Sequence, residues 1–438
     1  MSVNRIICHV DPATVPELGT PTDIHVLLYG STPVRPGTAI AGGQIPDLAS
    51  RFGLVIRDAA FDFVSVALAV TAADTFVKRE SGEDAWARTF EVELPLSDVA
   101  PWERVRERLE AALHFLSGDI WTFRFAPGGR RAPASDDVRR RTRVVPLDQV
   151  DCACLFSGGL DSAIGALRLI GDQRRPLLVS HVYRGDKTYQ EDVASRLPRS
   201  VPSIHANFYP TWDGPDDDTM RTRSVSFLAL GVLAATAISQ FRGDRIIDLV
   251  IAENGFIALN APLTPRRVGT LSTRTAHPHF LGEMQTILDA VGLPVRIENT
   301  CRHQTKGEML RGSIHEPDFA KLAVATVSCG KWKRRNIQCG RCVPCLVRRA
   351  AFHAAALPDT TPYEWANLPD VLIDEDGRDD VVAAMTAVRR LHRRGAVAPW
   401  VLQAGPLPED PSDRLAYVDV FRRGILELQS FLKASGLP

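Results

Sequence analysis

A short apolar segment that runs directly into a glycine-rich turn constrains the fold more than any other feature of the sequence. Residues 150–156 form this segment, which is followed by Ser157-Gly158-Gly159-Leu160-Asp161-Ser162. Residues 161–170 then show the apolar spacing of a helix. Further apolar segments, with helical patterns between them, lie at 176–183, 201–208 and 246–252. Apolar strands that alternate with helices predict a parallel α/β sheet that is covered by helices on both faces.

The glycine-rich turn has the composition of a phosphate-binding loop. A junction between a strand and a helix presents unpaired N–H groups and the positive end of the helix dipole to an anion. Gly158 and Gly159 allow a phosphate to approach without a Cβ clash, and the hydroxyls of Ser157 and Ser162 add donors. Asp161 fits such a loop if it helps to hold Mg²⁺ between phosphates, or if it caps the helix.

The alternative is an ordinary strand-to-helix turn in which serine and aspartate act only as caps. A lone pair of glycines would favour that interpretation, but the full Ser-Gly-Gly-x-Asp-Ser string after an apolar segment favours a nucleotide site. The loop is not a Walker A motif, because no Gly-Lys-Ser/Thr follows it.

Four closely spaced cysteines predict a metal site. Their spacing is C-x9-C-x2-C-x2-C, and they are Cys329, Cys339, Cys342 and Cys345. Four thiolates at these separations match a closed tetrahedral Zn²⁺ site, and Gly340 permits the tight turn between two ligands. An iron–sulfur cluster and four unrelated core thiols are the alternatives, and we favour zinc. Because four protein ligands leave no open position, we expect this zinc to be structural.

Composition excludes several classes of protein. The chain has 438 residues, with 52 Lys+Arg and 52 Asp+Glu, so it lacks the basic field expected of a protein that coats nucleic acid. No apolar signal core follows Met1. The longest apolar stretch, residues 224–239, is shorter than the ~20 residues that a membrane span needs. We therefore expect a soluble cytoplasmic protein with two or three domains and no membrane partner.

The first 126 residues read as an α+β domain. Strand-like segments are predicted at 5–11, 23–30, 52–57, 61–71, 89–94 and 120–125, with one helix at 102–116. An Arg-rich linker is predicted at 127–146. Its residues 130–143 could contact RNA or DNA, but a solvated linker is the favoured interpretation, since arginine is abundant throughout the chain. The main domain is predicted at 147–356, with the cysteine element at 329–345, and a helical region at 357–438.

The glycine loop and the cysteine cluster together resemble one family. The loop is similar to the pyrophosphatase (PP) loop of the adenine-nucleotide alpha hydrolases, which cleave ATP between the α- and β-phosphates and adenylylate a carbonyl or carboxylate oxygen. The segment Cys339-Gly340-Arg341-Cys342-Val343-Pro344-Cys345 resembles the zinc element of the 7-cyano-7-deazaguanine synthase family, also called QueC. That family pairs both motifs in this order, and the resemblance covers about residues 150–352.

The middle of the chain departs from the housekeeping enzyme of that family. It resembles the QueC-like proteins of bacterial anti-phage operons, the QatC type, and the additional regions on both sides fit that branch. The segments that carry this resemblance are Glu253-Asn254-Gly255, Asn260-Ala261-Pro262-Leu263, Ser272-Thr273-Arg274-Thr275-Ala276-His277-Pro278 and Thr305-Lys306-Gly307-Glu308-Met309.

The resemblance implies ATP, with Mg²⁺, as the ligand of residues 157–162, Leu160 included. Lys306 would stabilise charge on the α-phosphate, and Arg223 would contact ATP with its planar fork; the alternative for each is a surface side chain. Together with Asp161, these two are the expected catalytic residues. Glu253 and Asn254 follow a strand, where they could read the edge of a purine-like base. Arg274 and Thr275, on a long loop, complete the expected substrate contacts.

The function implied is that of an ATP-dependent carbon–nitrogen ligase that forms AMP and pyrophosphate. The acid would be 7-carboxy-7-deazaguanine or a close relative, and the amine could be the N-terminus of a partner protein from the same operon. Three alternatives stay open. They are synthesis of 7-cyano-7-deazaguanine from ammonia, sulfuration of tRNA, and a non-catalytic nucleotide-sensing subunit of a defence assembly.

Overall fold

The protein contains two five-stranded sheets in which every pair of neighbouring strands is parallel, so the predicted α/β class is confirmed. The computed structural model describes residues 3–17, 23–82, 84–133, 144–183, 185–217, 221–264, 274–331, 337–375, 377–394 and 397–437. Most of the predicted Arg-rich stretch, residues 134–143, lies outside the described residues.

The first sheet has the strand order β3-β2-β1-β4-β5. Its strands are β1 (Val3–His9), β2 (Asp23–Gly30), β3 (Ala39–Gly42), β4 (Thr89–Leu96) and β5 (Ile120–Pro127), and its helices are α1 (Ile45–Ser50), α2 (Asp58–Phe76) and α3 (Val99–Ser117). Helices α2 and α3 form the long crossovers that parallel strands need. This region was expected to be α+β, and the structure corrects that expectation to α/β.

Helix α2 replaces the strand predicted at 61–71, and residues 52–57, predicted as another strand, form a turn and an irregular segment before the helix. Nearly all of its residues are buried, so apolar side chains occur around its whole circumference and the helical period is lost from the sequence. A long apolar segment rich in valine and phenylalanine cannot be separated from strand by periodicity alone. The other predicted strands of this region, and helix 102–116, agree with the structure within a few residues.

The second sheet has the strand order β10-β9-β6-β7-β8. Its strands are β6 (Cys152–Leu155), β7 (Pro176–His181), β8 (Ser203–Ala206), β9 (Ile247–Ile251) and β10 (Val295–Asn299). The helices that follow are α4 (Leu160–Gly171), α5 (Asp186–Ser195), α6 (Arg223–Phe241), α7 (Gly255–Ala258), α8 (Pro278–Ala290), α9 (Lys306–Arg311), α10 (Phe319–Ala325) and α11 (Val343–Ala354). The chain continues from β6 to β7 on one side and places β9 on the other. Such a switch point opens a crevice at the carboxyl end of the central strand.

One hydrophobic cluster joins the two sheets through α2 and α6. Within the described part of the chain, these are also the two helices that are long and apolar enough to cross a membrane, but 89% and 83% of their apolar windows are buried inside the protein. Core helices pass the same test of length and composition. The hydrophobic cluster includes residues on both sides of residue 147, and the predicted domain boundaries stay a prediction.

The C-terminal region is helical, with α12 (Leu368–Val371), α13 (Asp379–Arg394), α14 (Ala398–Val401) and α15 (Pro411–Ala434). It forms a second hydrophobic cluster that includes Trp400, Phe421 and Leu428 together with Phe256 of α7 and Leu346 of α11. The C-terminal helices therefore pack against elements that carry the site and the cysteine cluster.

Candidate active site

The glycine loop lies at the carboxyl end of β6 and leads into α4. Gly158 has a φ of +74°, a conformation that side chains with a Cβ rarely adopt. A Cβ on Gly158 would also lie 2.7 Å from Cε2 of Tyr189. The hydroxyl of Ser157 accepts a hydrogen bond from the amide of Gly159 at 3.2 Å and lies 3.3 Å from the hydroxyl of Ser162. The loop is thus a compact turn that offers hydroxyl groups beside a helix start.

Asp161, in the first turn of α4, forms a buried ion pair with Lys306. The Lys306 Nζ lies 2.9 Å from the Asp161 Oδ1, and the side chains are 9% and 7% exposed. The other carboxylate oxygen, Oδ2, accepts hydrogen bonds from the Asn254 side chain at 2.6 Å and the Asn254 backbone amide at 3.2 Å. A cation and an amide therefore fix the carboxylate directly behind the glycine loop.

Glu253 completes this cluster at the end of β9. Its Oε1 accepts a hydrogen bond from Asn254 Nδ2 at 3.2 Å, and its backbone amide donates to Asn299 Oδ1 at 3.3 Å. Burial and the neighbouring negative charge of Asp161 raise the pKa of Glu253 well above its ordinary value. For Asp161, burial opposes ionisation. The charge of Lys306 and hydrogen bonds from Glu253 and Asn254 nevertheless lower its pKa. The pKa values of the two carboxyl groups are therefore shifted in opposite directions, and Asp161 is the stronger acid of the pair.

Lys306 is presented by the first residue of α9. Thr305 caps this helix in a capping box, in which the amide of Glu308 donates to Thr305 Oγ1 at 3.1 Å and the amide of Thr305 donates to Glu308 Oε2 at 2.9 Å. The Thr-Lys-Gly-Glu sequence is a start signal of this kind, with threonine at the cap and glutamate three residues later. The local sequence therefore explains where the helix begins, and so where Lys306 stands.

Arg223 lies at the first residue of α6, on the other side of the loop. Its guanidinium carbon is 4.7 Å from the ring centroid of Tyr183, which follows β7. Burial raises the pKa of Tyr183 to about 12, although Arg223 opposes that shift. The structure therefore brings Arg223 to the carboxyl end of the sheet. Tyr183 lies there as well, and so does Tyr189, whose ring is next to Gly158.

Arg274 and Thr275 are placed differently from the other expected substrate contacts. Arg274 donates a hydrogen bond to the backbone oxygen of Phe115 at 2.7 Å and stacks over the Phe115 ring, with 4.4 Å from its guanidinium carbon to the ring centroid. Its described contacts are thus with α3 of the first sheet rather than with Asp161 or Lys306. Thr275 is exposed. Residues 265–273, which precede them, lie outside the described residues.

The four clustered cysteines form a compact buried group. All four sulfur atoms lie within 4.8 Å of one another, with 3.9 Å between Cys339 and Cys345 and 4.0 Å between Cys342 and Cys329. In a tetrahedral site with Zn–S bonds of about 2.3 Å, the sulfur atoms stand about 3.8 Å apart. Gly340 has a φ of +78°, and a Cβ there would lie 2.5 Å from the backbone oxygen of Trp365. The cluster fits a zinc element.

Sequence reasoning missed several residues that support the site. Asn299 holds the Glu253 amide and, through the same Oδ1, accepts from the Cys301 amide at 3.1 Å. Its position at the carboxyl end of β10 is the signal that could have found it. Glu427 accepts hydrogen bonds from Thr305 and Gly307 at the start of α9, and no sequence signal marks it, because α15 lies more than 100 residues away.

Comparison with known proteins identifies short similar segments. The chain is 42% identical over 66 residues to the 7-cyano-7-deazaguanine synthase of Paracoccus denitrificans (strain Pd 1222), which covers 15% of this chain and 26% of that protein. It is 47% identical over 53 residues to the synthase of Rhizobium leguminosarum bv. trifolii (12% and 20%). With the synthase of Cupriavidus necator it shares 35% over 86 residues (20% and 37%). No family model matches the chain.

These matches span only about a fifth to a little more than a third of the relatives' own lengths. They support a relationship to QueC-like proteins over these segments, while the QatC-type resemblance stays a prediction. Together with the parallel sheet and the cysteine cluster, they imply a PP-loop fold for the second sheet. This chain thus contains a segment similar to part of the 7-cyano-7-deazaguanine synthases.

Proposed function

We propose that the protein activates a 7-deazaguanine-type carboxylate with ATP and releases pyrophosphate. The observation that carries this proposal is the buried contact of 2.9 Å between Lys306 Nζ and Asp161 Oδ1, directly behind the glycine loop. A lysine held beside such a loop can stabilise the negative charge that develops at the α-phosphate during adenylylation. The similar proteins are 7-cyano-7-deazaguanine synthases, and this favours a deazaguanine substrate.

The residues around the loop divide the work between binding and charge stabilisation. We propose that the amides and hydroxyls of residues 157–162 bind the triphosphate, and that Arg223 contacts its charged oxygens with a guanidinium fork. Asp161 offers a carboxylate oxygen of the kind that Mg²⁺ prefers, and Mg²⁺ would neutralise charge on the departing pyrophosphate.

The base of the substrate would lie at the carboxyl ends of β9 and β10. Glu253 and Asn254 are the residues that we propose to read its edge, because one supplies a carboxyl group and the other an amide at the end of β9. We propose Arg274 and Thr275 as further contacts of the substrate, as the family resemblance implies. The assignment of Glu253 and Asn254 rests on residue types and positions at the sheet edge.

A second half-reaction would join the activated acid to an amine. The carboxylate oxygen attacks the α-phosphorus of ATP and forms an acyl adenylate. The bond between the α-phosphorus and the oxygen that bridges to the β-phosphate breaks, and pyrophosphate leaves with that oxygen. The amine nitrogen then attacks the acyl carbon, and the bond between that carbon and the oxygen that joins it to phosphorus breaks. AMP leaves with this oxygen, and the nitrogen loses one proton to give the amide. We propose the N-terminus of a partner protein in anti-phage defence as the amine, because the regions that flank the main domain favour a larger acceptor and because residues 253–255, 260–263, 272–278 and 305–309 resemble the QatC type.

Formation of a nitrile is the second candidate function. The similar proteins are named 7-cyano-7-deazaguanine synthases, and this name favours ammonia as the amine and a further activation of the resulting amide. Both candidates share the first half-reaction, and they differ in the acceptor, in the further activation of the amide and in the final product.

The test uses the full chain with ATP, Mg²⁺ and 7-carboxy-7-deazaguanine. We expect AMP and pyrophosphate in equal amounts. Adding ammonia or the purified operon partner, and weighing both the small molecules and the partner by mass spectrometry, separates nitrile from protein amide. Formation of ADP in place of AMP would contradict the proposal at its first step.

We propose Zn²⁺ as the ion of the cysteine cluster, in a structural role. Four buried thiolates at tetrahedral distances leave no open position for substrate, which is the arrangement of structural zinc sites. Metal analysis of the purified protein should find one zinc per chain. An iron signal with a visible absorption band would replace zinc with an iron–sulfur cluster.

A further inference from the structure

The long C-terminal helix α15 contacts the start of α9 through the carboxylate of Glu427. Glu427 accepts a hydrogen bond from the hydroxyl of Thr305 and another from the amide of Gly307, the latter at 3.2 Å. These two groups flank Lys306 in the sequence. Glu427 therefore holds the residue before Lys306 and the residue after it.

A second charged residue of α15 reinforces this contact. Arg423, one helical turn before Glu427, forms an ion pair with Glu308 and donates to the backbone oxygen of His303 at 3.0 Å. Glu308 is also the residue that closes the capping box with Thr305. Charges on α15 thus fix both the cap of α9 and the segment that leads into it.

Glycines stand where α15 packs most closely against α7 and α9. A Cβ on Gly307 would lie 2.4 Å from Glu427 Oε1, and a Cβ on Gly424 would lie 2.4 Å from Cδ2 of Phe256 in α7. A Cβ on Gly255 would lie 2.8 Å from Cγ1 of Val420. Three glycines therefore allow α15 to press against the two short helices that follow Asn254 and Thr305.

We propose that Glu427 is a positioning residue that keeps Lys306 on Asp161. Helix α9 has only six residues, and a helix of that length gains little stability from its own hydrogen bonds. Its first turn therefore depends on groups from outside. The inference rests on the proposed function of Lys306, and it assigns a part in the reaction to the C-terminal region.

The first experiment follows Lys306 without any turnover. The chain has seven lysines, namely Lys78, Lys187, Lys306, Lys321, Lys331, Lys333 and Lys433. Their rates of modification by acetic anhydride can be followed peptide by peptide with mass spectrometry. In Glu427→Ala we expect Lys306 to react about tenfold faster or more, because its first turn loosens and exposes the amine. Exposed Lys321 serves as the internal reference, and its rate should not change.

The second experiment measures pyrophosphate release in a double-mutant cycle. Glu427→Ala should lower kcat by about tenfold or more and change the KM for ATP by less than about threefold, because a misplaced lysine affects the transition state more than ground-state binding. In a Lys306→Met background, Glu427→Ala should lower the remaining rate by less than about twofold. If Glu427→Ala lowers the rate of the Lys306→Met variant by the same factor as that of the wild type, the proposal is overturned.

Two further variants separate positioning from simple loss of stability. Ser430→Ala removes a hydrogen bond of 3.0 Å between Ser430 Oγ of α15 and His353 Nε2 of α11. This variant should change neither the labelling rate of Lys306 nor kcat. Glu427→Gln keeps the size and one acceptor oxygen, so it should fall between wild type and Glu427→Ala, and it also serves if the alanine variant does not fold.

The two readouts also separate this inference from the proposed function. If wild type releases no pyrophosphate while Lys306 reacts faster in Glu427→Ala, the positioning role stands and the proposed reaction fails. If wild type is active and Glu427→Ala alters neither the labelling of Lys306 nor kcat, the positioning role is wrong.

Discussion

The backbone amide of Val327 donates a hydrogen bond to the carbonyl oxygen of Gly158 at 3.2 Å. Val327 lies two residues before the first cysteine of the cluster. Gln338, one residue before the second cysteine, donates to the Thr326 backbone oxygen at 3.1 Å and accepts from the Ser328 amide at 3.1 Å. One backbone hydrogen bond therefore joins the glycine loop to the segment before the first cysteine, and the Gln338 side chain ties that segment to the second cysteine, so loss of the metal should affect the nucleotide site.

We expect Cys342→Ser to lose its metal, to melt at a lower temperature and to bind ATP more weakly. Structural zinc contributes binding energy to folding, on the order of 10 kcal/mol in small zinc domains, and the segment around Val327 depends on the same element. Metal analysis, thermal unfolding and ATP titration measure the three effects. Cys152→Ala is the matched control, since it removes a buried thiol from β6 and should keep the metal. Unchanged ATP affinity in metal-free protein would disconnect the two sites.

Gly158→Ala should weaken ATP binding through the shape of the loop alone. Its φ of +74° and the 2.7 Å contact that a Cβ would make with Tyr189 force the loop or the ring to move, at a cost of roughly 1–3 kcal/mol. We expect an ATP dissociation constant at least several-fold higher by calorimetry. Gly171→Ala, at the end of α4, meets nothing within 4 Å and should be neutral or slightly stabilising. If both substitutions change the ATP dissociation constant equally, the shape of the loop at Gly158 does not determine ATP binding.

Local patterns predicted the parts of the protein that are encoded locally. The glycine loop, the cysteine cluster and the cap at Thr305 each occupy a few consecutive residues, and the structure shows a strand-to-helix turn, a group of four sulfurs and a helix start at those places. The contact between Asp161 and Lys306 spans 145 residues. A family resemblance could name both residues, but no spacing could predict their distance.

Packing decided what the sequence could not. Helix α2 was predicted as strand because burial on all sides erases its period, and the first sheet was predicted as α+β for the same reason. Arg274 was expected to contact the substrate, and in the structure its guanidinium packs on Phe115 of α3, a helix of the first sheet. The contacts of Glu427 and Val327 depend on how distant helices approach, and such contacts leave no periodic signal in a single sequence.

Asp74→Asn should disrupt the junction between the two sheets. The carboxylate of Asp74 in α2 bonds Arg79 at 3.1 Å, pairs with Arg88, and accepts from the Thr222 amide and hydroxyl at 2.8 and 2.9 Å, just before α6. Removing one charge from a buried network costs about 3–5 kcal/mol. We expect a lower melting temperature and a higher KM for ATP, because Arg223 follows Thr222 directly.

Asp244→Asn is the control for that substitution. Asp244 forms an exposed ion pair with Arg57 at 2.6 Å, and exposed pairs contribute at most about 1 kcal/mol. A KM that does not change when Asp74 is replaced would show that the first sheet does not influence Arg223.

His277 should make the protein less stable in mild acid. Its side chain is fully buried and caps α8, with Nδ1 accepting from the His279 amide at 3.2 Å. Burial, helped by Arg274 and His279, lowers the pKa of His277 from 6.5 to about 3. Between these values the unfolded chain binds a proton that the folded chain does not, so stability falls as the pH drops below about 6.5. The loss should reach about 2 kcal/mol at pH 5, since each unit costs ~1.4 kcal/mol.

His277→Asn keeps a capping oxygen and removes the titrating ring, so it should flatten this part of the pH profile. Urea unfolding at pH 7, 6 and 5 measures the change in unfolding free energy at each pH. His315→Asn, at an exposed position, should leave the wild-type profile unaltered. Parallel profiles for wild type and His277→Asn would mean that His277 takes up its proton in the folded protein, and that its ring is not held in the buried, neutral form that caps α8.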